Sequence, residues 1–277
     1  MNYITNDDTI IFDSEFNEEL DTELISGFKK LIFSDYELNE RLFEHYANNN
    51  FCGLKYEINK FNQDVSVLPS SIIHLTFGTY FDQDVSVLPP FLTHLIFGFY
   101  FNRDVSNLPP TLTHLTFGFD FNQDVSNLPP TLTHLTFGGN FNQDISRLPP
   151  FLTHLTLGYG FIKECNVLPN IKYLKLSCNN IHIINSLPNS VAELELGKYF
   201  NLEINNLPTS IKKLVIDKDS YYNMDLNCLP DFIEELHLNY HYKKRILNIP
   251  SNLKKIVCYI IYPYKDDFLI CDVEIYK

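Results

Sequence analysis

The feature that most constrains this chain is a dipeptide that returns at a fixed interval. Leu-Pro falls at 68–69, 88–89, 108–109, 128–129, 148–149 and 168–169, a period of 20 residues. It continues less regularly at 187–188, 207–208 and 229–230, with Ile249-Pro250 as a tenth copy. The best copies are nearly identical: 101–118 reads FNRDVSNLPPTLTHLTFG and 121–138 reads FNQDVSNLPPTLTHLTFG. A fixed period of this length marks a solenoid, in which a unit too small to bury its own apolar face stacks on the next.

Each copy divides into an extended piece and a return. In TLTHLTFG, Leu115 and Phe117 alternate with His114 and Thr116, the period-two pattern of a half-buried strand. Leu115 and Phe117 therefore belong to the core, His114 and Thr116 to the outer face. Gly118 permits a sharp exit from the strand. Proline fixes φ and forces its predecessor into extended geometry, so Leu-Pro-Pro ends any helix and carries the chain back. Phe121, Val125 and Leu128 on that return are available for burial. The predicted fold class is a repeat solenoid with a parallel β-sheet on one face and irregular or short-helical returns. Its inward ladders run from Leu75, Leu95 and Leu115 on to Ile256, and from Phe77, Phe97 and Phe117 on to Cys258.

The copy at 171–188, IKYLKLSCNNIHIINSLP, resembles the leucine-rich repeat L-x-x-L-x-L-x-x-N-x-L, with Ile171, Leu174, Leu176, Asn179 and Ile181 in the matching places. The N-terminal copies carry Tyr80, Tyr100 and Asp120 where that asparagine would sit; Asn140 matches. Their unit, F-N-x-D-(V/I)-S-x-L-P-P-x-L-T-H-L-T-F-G, is similar to the FNIP repeat of social amoebae and giant amoeba-infecting viruses. The resemblance is strong over 61–160, fair over 161–258 and faint before 61. It implies a leucine-rich-repeat-like solenoid. FNIP proteins often carry an N-terminal F-box, which would imply a ubiquitin-ligase substrate receptor. Residues 1–50 hold no Leu-Pro helix start of that kind.

The ends of the chain read differently from its middle. Residues 1–50 hold twelve Asp or Glu against three Lys or Arg, a net charge of −9 of the chain's −13. Residues 51–160 carry −4 and 161–277 carry zero. An acidic body repels phosphate backbones, so no nucleic-acid partner is predicted. No stretch reaches the ~20 apolar residues of a membrane span, and the acidic N-terminus is unlike a signal peptide. The six cysteines, Cys52, Cys165, Cys178, Cys228, Cys258 and Cys271, form no C-x-x-C pair and no disulfide framework. The expected location is cytoplasmic, in the host cytoplasm for a viral protein. Three segments are predicted: an acidic cap with degenerate repeats (1–58), the solenoid (59–258) and a closing cap strand (259–277). In the first, Phe16-Asn17 followed by Phe28, Leu31 and Phe33 reads as one degenerate copy. FCGLKY, with Phe51, Leu54 and Tyr56, reads as another. Residues 36–50 read as a short helix with Leu38, Leu42 and Tyr46 on one face. In the last, 268–276 alternates and is expected to close the sheet edge.

Two rows invite chemistry. His74, His94, His114, His134 and His154 share one repeat position on the outer strand face. Neighbouring imidazoles one strand apart suit a zinc site or a pH response, but a histidine copied with its repeat explains the row as well. No carboxylate or thiolate is fixed beside the row, so no metal is assigned. Asp64, Asp84, Asp104, Asp124 and Asp144 each precede a serine by two residues. Without glycine-rich turns to gather oxygens for calcium, local capping is the favoured reading. Asn62, Asn102, Asn122 and Asn142 suit buried amide ladders, a row that Asp82 breaks. No G-x-S-x-G, H-E-x-x-H, P-loop or dinucleotide fingerprint occurs, so neither catalysis nor a cofactor is predicted.

The function expected is protein–protein interaction on the exposed strand face, as a host-directed adaptor if the protein is viral. The alternatives are a passive structural repeat protein, or a substrate receptor if a cryptic F-box exists. The candidate face runs through His94, His114, Thr116, His134, Thr136 and His154, then Tyr173, Lys175, Glu193, Glu195, Lys213, Glu235, His237 and Lys255. Its first half is uniform and its second half varied. Selective recognition needs unlike groups in fixed places, so the second half is expected to carry it.

Overall fold

The computed structural model describes residues 2–39, 41–48, 51, 54–165 and 168–276. Cys52 and the distal end of the helix expected over 36–50 lie outside the described residues. Two units are present, Met1–Phe141 and Asn142–Lys277, each a parallel-strand β-solenoid with few helices.

The first unit holds β1 (Tyr3–Thr5), β2 (Thr9–Phe12), α1 (Thr22–Ile25), β3 (Lys30–Phe33), α2 (Leu42–Asn48), β4 (His74–Thr76), β5 (His94–Ile96), β6 (His114–Thr116) and β7 (His134–Thr136). β1 pairs antiparallel with β2, and each later strand pairs parallel with the one before. The second unit holds β8 (His154–Leu157), β9 (Tyr173–Leu176), α3 (Ile181–Asn185), β10 (Glu193–Leu196), β11 (Lys213–Ile216), β12 (Glu235–His237), β13 (Lys255–Tyr259), a 3₁₀ turn (Lys265–Asp267) and β14 (Asp272–Tyr276). All its strands pair parallel in chain order.

Register follows the repeat: His94 stands against His114 and Leu95 against Leu115. The leucine and phenylalanine ladders are buried, as are Phe121, Val125 and Leu128 on the return. Phe117 of the strand stacks on Phe121 of the return at 3.7 Å, and on Phe97 and Phe137 of the adjoining coils at 5.7 and 5.6 Å. The strand exits need glycine for a specific reason. A Cβ on Gly118 would overlap the carbonyl oxygen of Gly98, and one on Gly98 that of Gly78. No side chain fits where successive backbones approach so closely.

The return is tied by short polar bonds. Each repeat aspartate accepts the backbone N–H and hydroxyl of the serine two residues on; for Asp104 and Ser106 these are 3.1 and 2.6 Å. The aspartate row is thus a series of local turns. The Asn62 row differs from expectation. Its side chains are half-exposed or exposed, because they bond outward-lying N–H groups of the next coil. Asp82 does not break the row: it accepts from Asn102 N–H at 2.9 Å as asparagine would. The buried amides are instead Asn59, Asn180 and Asn239, whose Nδ2 groups donate to carbonyls of preceding coils. In the 171–188 copy the leucine-rich-repeat spacing holds through Leu176 and then slips. Asn179 and Ile181 face solvent, while Asn180 caps α3 and Ile183 takes the core.

Near the N-terminus, Leu31 and Phe33 join the ladders, and Asn17 accepts from Asn62 N–H at 3.0 Å, so the degenerate copy at 16–33 is a true coil. FCGLKY is not one. β3 pairs directly with β4, and Tyr56 only forms an isolated bridge to Tyr36. The stretch between β3 and the return that begins at Phe61 is an insertion. It folds α2, shorter than expected, onto Ile11 and Ile32, with Leu42 buried and Leu38, Tyr46 and Leu54 packed around them. At the other end β14 pairs with β13 as expected, yet all five of its residues are exposed.

The glycine row sets a stability test. Gly118→Ala must push apart two coils, and overpacking of this kind costs about 2–3 kcal/mol. Thr116→Ala, two residues away on the outer face, should stay within about 0.5 kcal/mol. Denaturant melts of both variants check the ranking.

Candidate functional site

Strand alternation sends two columns of side chains to the outer face. In the first unit one column is His74, His94, His114, His134, and the next is Thr76, Ile96, Thr116, Thr136. The imidazoles are half-buried and stack at 4.1, 4.2 and 4.1 Å between centroids. Each Nδ1 of His94, His114 and His134 lies 2.9 Å from Oγ1 of the threonine before it, which fixes the ring. The last three rings are within 12° of parallel, so neighbouring nitrogens run side by side and do not converge on a point. Among the described residues no group of three or more His, Cys, Asp or Glu is placed to hold a metal ion. Burial, then His74 beside it and His134 two strands away, then Lys30, push His94 down from 6.5 to about 4. Burial and then Lys30 also lower His74. The face has a closed end: Lys30 and Ile32 of β3 continue the two columns, and α2 packs over Ile32.

The second unit presents a different face. Its first column is His154, Tyr173, Glu193, Lys213, Glu235, Lys255 and Asp272. The second is Thr156, Lys175, Glu195, Val215, His237, Val257 and Glu274. His154 stacks with Tyr173 at 5.5 Å. Alternating charges pair along the ladder: Lys213 with Glu193 at 3.1 Å, and Lys255 with Glu274 at 2.7 Å and Glu235 at 3.8 Å. Glu195 accepts from Tyr173 Oη at 2.5 Å on one oxygen and from Lys175 Nζ at 2.5 Å on the other. Lys175 also reaches Asp217 at 3.6 Å, and His237 Nε2 is 2.6 Å from Glu235. Burial, then the Glu195 carboxylate, push the Tyr173 hydroxyl up. Burial opposes ionisation of Glu235, but the His237 hydrogen bond with Lys213 and Lys255 outweighs it and holds the carboxyl below its ordinary range.

These pairs leave a hollow. Val215 and Val257 are short, and His237 between them is tied to Glu235. A cleft of about 620 Å³ opens there, bounded also by Glu195, Asp217, Asp219, Lys218, Tyr259 and Tyr276. Of the residues marked by alternation, the cleft takes Glu195 and His237; Tyr173 and Lys175 brace Glu195 from below. Glu193, Lys213, Glu235 and Lys255 form the charge ladder beside it. His94, His114, Thr116, His134 and Thr136 sit on the face of the first unit, and His154 and Thr156 open that of the second. Alternation does not reveal Asp217, Asp219, Tyr259 or Tyr276, which lie at or beyond strand ends. The signal available for them was the change of the second column to valine.

The cleft thus brings carboxylates, tyrosines and two valines together on one face. Among the described residues no helix is long and apolar enough to cross a membrane.

Comparison with known proteins adds the following. The family model FNIP Repeat matches residues 61–100, 84–120, 101–140, 121–160, 164–199 and 179–219, together more than half of the chain. Among solved structures, the chain is similar to CroV588 of the giant virus CroV, described as a novel circular LRR protein. Identity is 27%, with 95% of this chain and 51% of that one covered and a TM-score of 0.49. It is also similar to the functional domain of InlJ from Listeria monocytogenes, at 16% identity over 96% of this chain and 59% of that one, with a TM-score of 0.45. The chain thus spans about half the length of the giant-virus protein. No curated protein matches it.

The imidazole stack makes a pH dependence testable. His94 has a folded value near 4 against about 6.5 unfolded, so the unfolded chain takes up its proton first. Its contribution to stability is complete above pH 6.5 and is lost as pH falls toward 4. Thermal melts of the full chain between pH 7 and 4 should show this loss, and His94→Gln should make the slope shallower. Identical slopes would show that the ring does not couple to folding.

Proposed function

The chain belongs to the FNIP repeat family, and from that membership we propose that it is a protein-interaction scaffold whose outward strand face receives a partner. The observation carrying this reading is the contrast between its two faces. The first unit repeats His and Thr; the second holds unlike charged groups, pinned by mutual ion pairs beside a cleft. Groups fixed before binding lose less freedom on binding, and unlike groups discriminate between partners. Tyr173, Lys175, Glu193, Glu195, Lys213, Glu235, His237 and Lys255 are accordingly the selective set. The row from His94 to His154 is the less selective one. The reading contains no catalytic step and no cofactor. It places the protein in the cytoplasm, that of the host for a viral protein, as an adaptor. Residues 1–58 and 259–277 act as caps on the solenoid between them.

A passive role fits the first unit alone, where copies 101–118 and 121–138 are alike in sequence and in every bond described above. A ubiquitin-ligase role would rest on a helical F-box, whereas the described part of residues 1–58 holds three strands and two helices, of four and seven residues.

The test compares variants in crosslinked capture from the native cell, quantified by mass spectrometry. Glu193→Lys with Glu195→Lys should weaken the captured partner at least tenfold, about 1.4 kcal/mol. His114→Ala should change it less than about twofold, a surface effect within about 0.5 kcal/mol. The opposite ranking refutes the reading. Because Glu195 is braced by Tyr173 and Lys175, Glu193→Lys alone serves as the variant that leaves that network in place.

A further inference from the structure

The cleft of the second unit has a composition that narrows what can enter it. Of its three carboxylates, Glu195 is already satisfied on both oxygens by Tyr173 and Lys175. Asp217 lies 3.6 Å from Lys175, and its other oxygen accepts the Asp219 N–H at 3.0 Å. Asp219 has no ion pair among the described residues. Setting Lys175 and Lys218 against Glu195, Asp217 and Asp219 leaves a surplus of one negative charge.

The walls add a second constraint. Tyr259 and Tyr276 line the cleft with ring centroids 5.7 Å apart and planes 49° from each other. Tyr240 meets Tyr259 edge-on at 5.3 Å, and Tyr240 in turn meets His241 at 5.2 Å. The aromatic chain continues past the cleft as His241 stacked on Tyr221 at 4.5 Å. Tyr240 and Tyr276 are each nearly half exposed, so their rings are open to a ligand. Val215 and Val257 give the cleft an apolar interior.

A single positive charge, a flat group able to lie on tyrosine faces, and an aliphatic stem together describe arginine. Guanidinium stacks on aromatic rings and bonds carboxylates through its fork, whereas an ammonium is a hydrated point charge. An acidic side chain would add to the surplus, and an apolar one would leave Asp219 without a partner.

We propose that the cleft between Asp217, Asp219, Tyr259 and Tyr276 seats an arginine side chain of the partner polypeptide. The proposal rests on the reading of the outward face as a protein-binding surface. The methylene stem packs on Val215 and Val257, and the guanidinium lies against the tyrosines with its donors on Asp217 and Asp219.

The test needs no identified partner. Fluorescein-labelled peptide libraries with a fixed central residue and mixed flanks are titrated against the full chain by fluorescence polarisation. The centres are arginine, lysine, citrulline and glutamate. The arginine library should bind at least tenfold more tightly than the citrulline library, which keeps the shape and loses the charge. Asp217→Asn with Asp219→Asn should remove that difference, and Tyr276→Leu, on an exposed strand, should reduce arginine binding at least threefold. Circular dichroism confirms that each variant is folded. Equal binding of arginine and citrulline, equal binding of arginine and lysine, no arginine binding, or binding indifferent to these variants would each overturn the proposal. Peptides that bind regardless of their centre, but are lost with Glu193→Lys, would keep the interaction face and end the arginine assignment. Binding indifferent to Glu193→Lys and to the cleft variants alike would end both.

Discussion

The structure depends on one contact repeated inside five coils of the first unit, a phenylalanine from the strand lying flat on a phenylalanine from the return. The pairs 77/81, 97/101, 117/121 and 137/141 stack at 3.6–3.7 Å, and Phe33 with Phe61 does the same at 3.8 Å. Each pair holds the two sides of one coil together. Its edges meet the next pair at 5.6–6.1 Å, so the stack is also the link between coils. The contacts between coils are the offset ones, and offset aromatic pairs add about 0.5–1.5 kcal/mol beyond the area they bury. A coil alone would expose half of these contacts, which is why stability is a property of the array. The glycine at the strand exit, the serine-bonded aspartate and the asparagine row all serve the same end. They let the backbone turn and close without holding two pairs apart.

The second unit keeps the architecture while loosening this rule. Its strand positions become Leu196, Ile216, Leu238 and Cys258, and its return positions Phe200, Tyr222, Tyr242 and Tyr262, all buried. Tyr262 Oη finds the Lys244 carbonyl at 3.1 Å, whereas the buried Tyr222 hydroxyl has no hydrogen-bond partner among the described residues. Coil lengths vary too: Glu235 pairs with Lys213, twenty-two residues back. The parallel register survives because the returns absorb the change: the 22-residue coil from Lys213 to Glu235 does so without a helix, and the 17-residue step from Lys255 to Asp272 holds the 3₁₀ turn. Inner packing and outer chemistry are thus separable, since neighbouring residues of a strand point to opposite faces. The outward positions have diversified without disturbing the inward ones.

That separation explains what was legible in the sequence. Leu115, Phe117 and their equivalents announce themselves because a period of two, copied at a period of twenty, is a signal from geometry alone. The outward row from His94 to Lys255 follows from the same rule. The cleft does not, because it arises from relations between coils: Val215 is hollow only beside a His237 drawn to Glu235, and Tyr276 comes from a strand outside the Leu-Pro series. The slip after Leu176 was hidden for a similar reason. Asn179 and Asn180 are adjacent and alike, and only the capping of α3 decides which one is buried. FCGLKY misled because its spacing of apolar residues suits a coil, while the strand pairing of β3 with β4 leaves it no place in the sheet.

The bond from each coil to the next has a consequence for how such a chain changes length. Ties between coils of the first unit run from a residue to its counterpart one period later: Asn102 to Asn122, Gly98 beneath Gly118, Thr93 to Thr113. A duplicated or deleted stretch of twenty residues therefore returns each donor to an acceptor of the same kind, whereas one of nineteen sends every side chain beyond it to the wrong face until a return takes up the difference. Growth by whole turns is the mutation this architecture tolerates best, and the nearly identical copies at 101–118 and 121–138 are what such growth leaves behind.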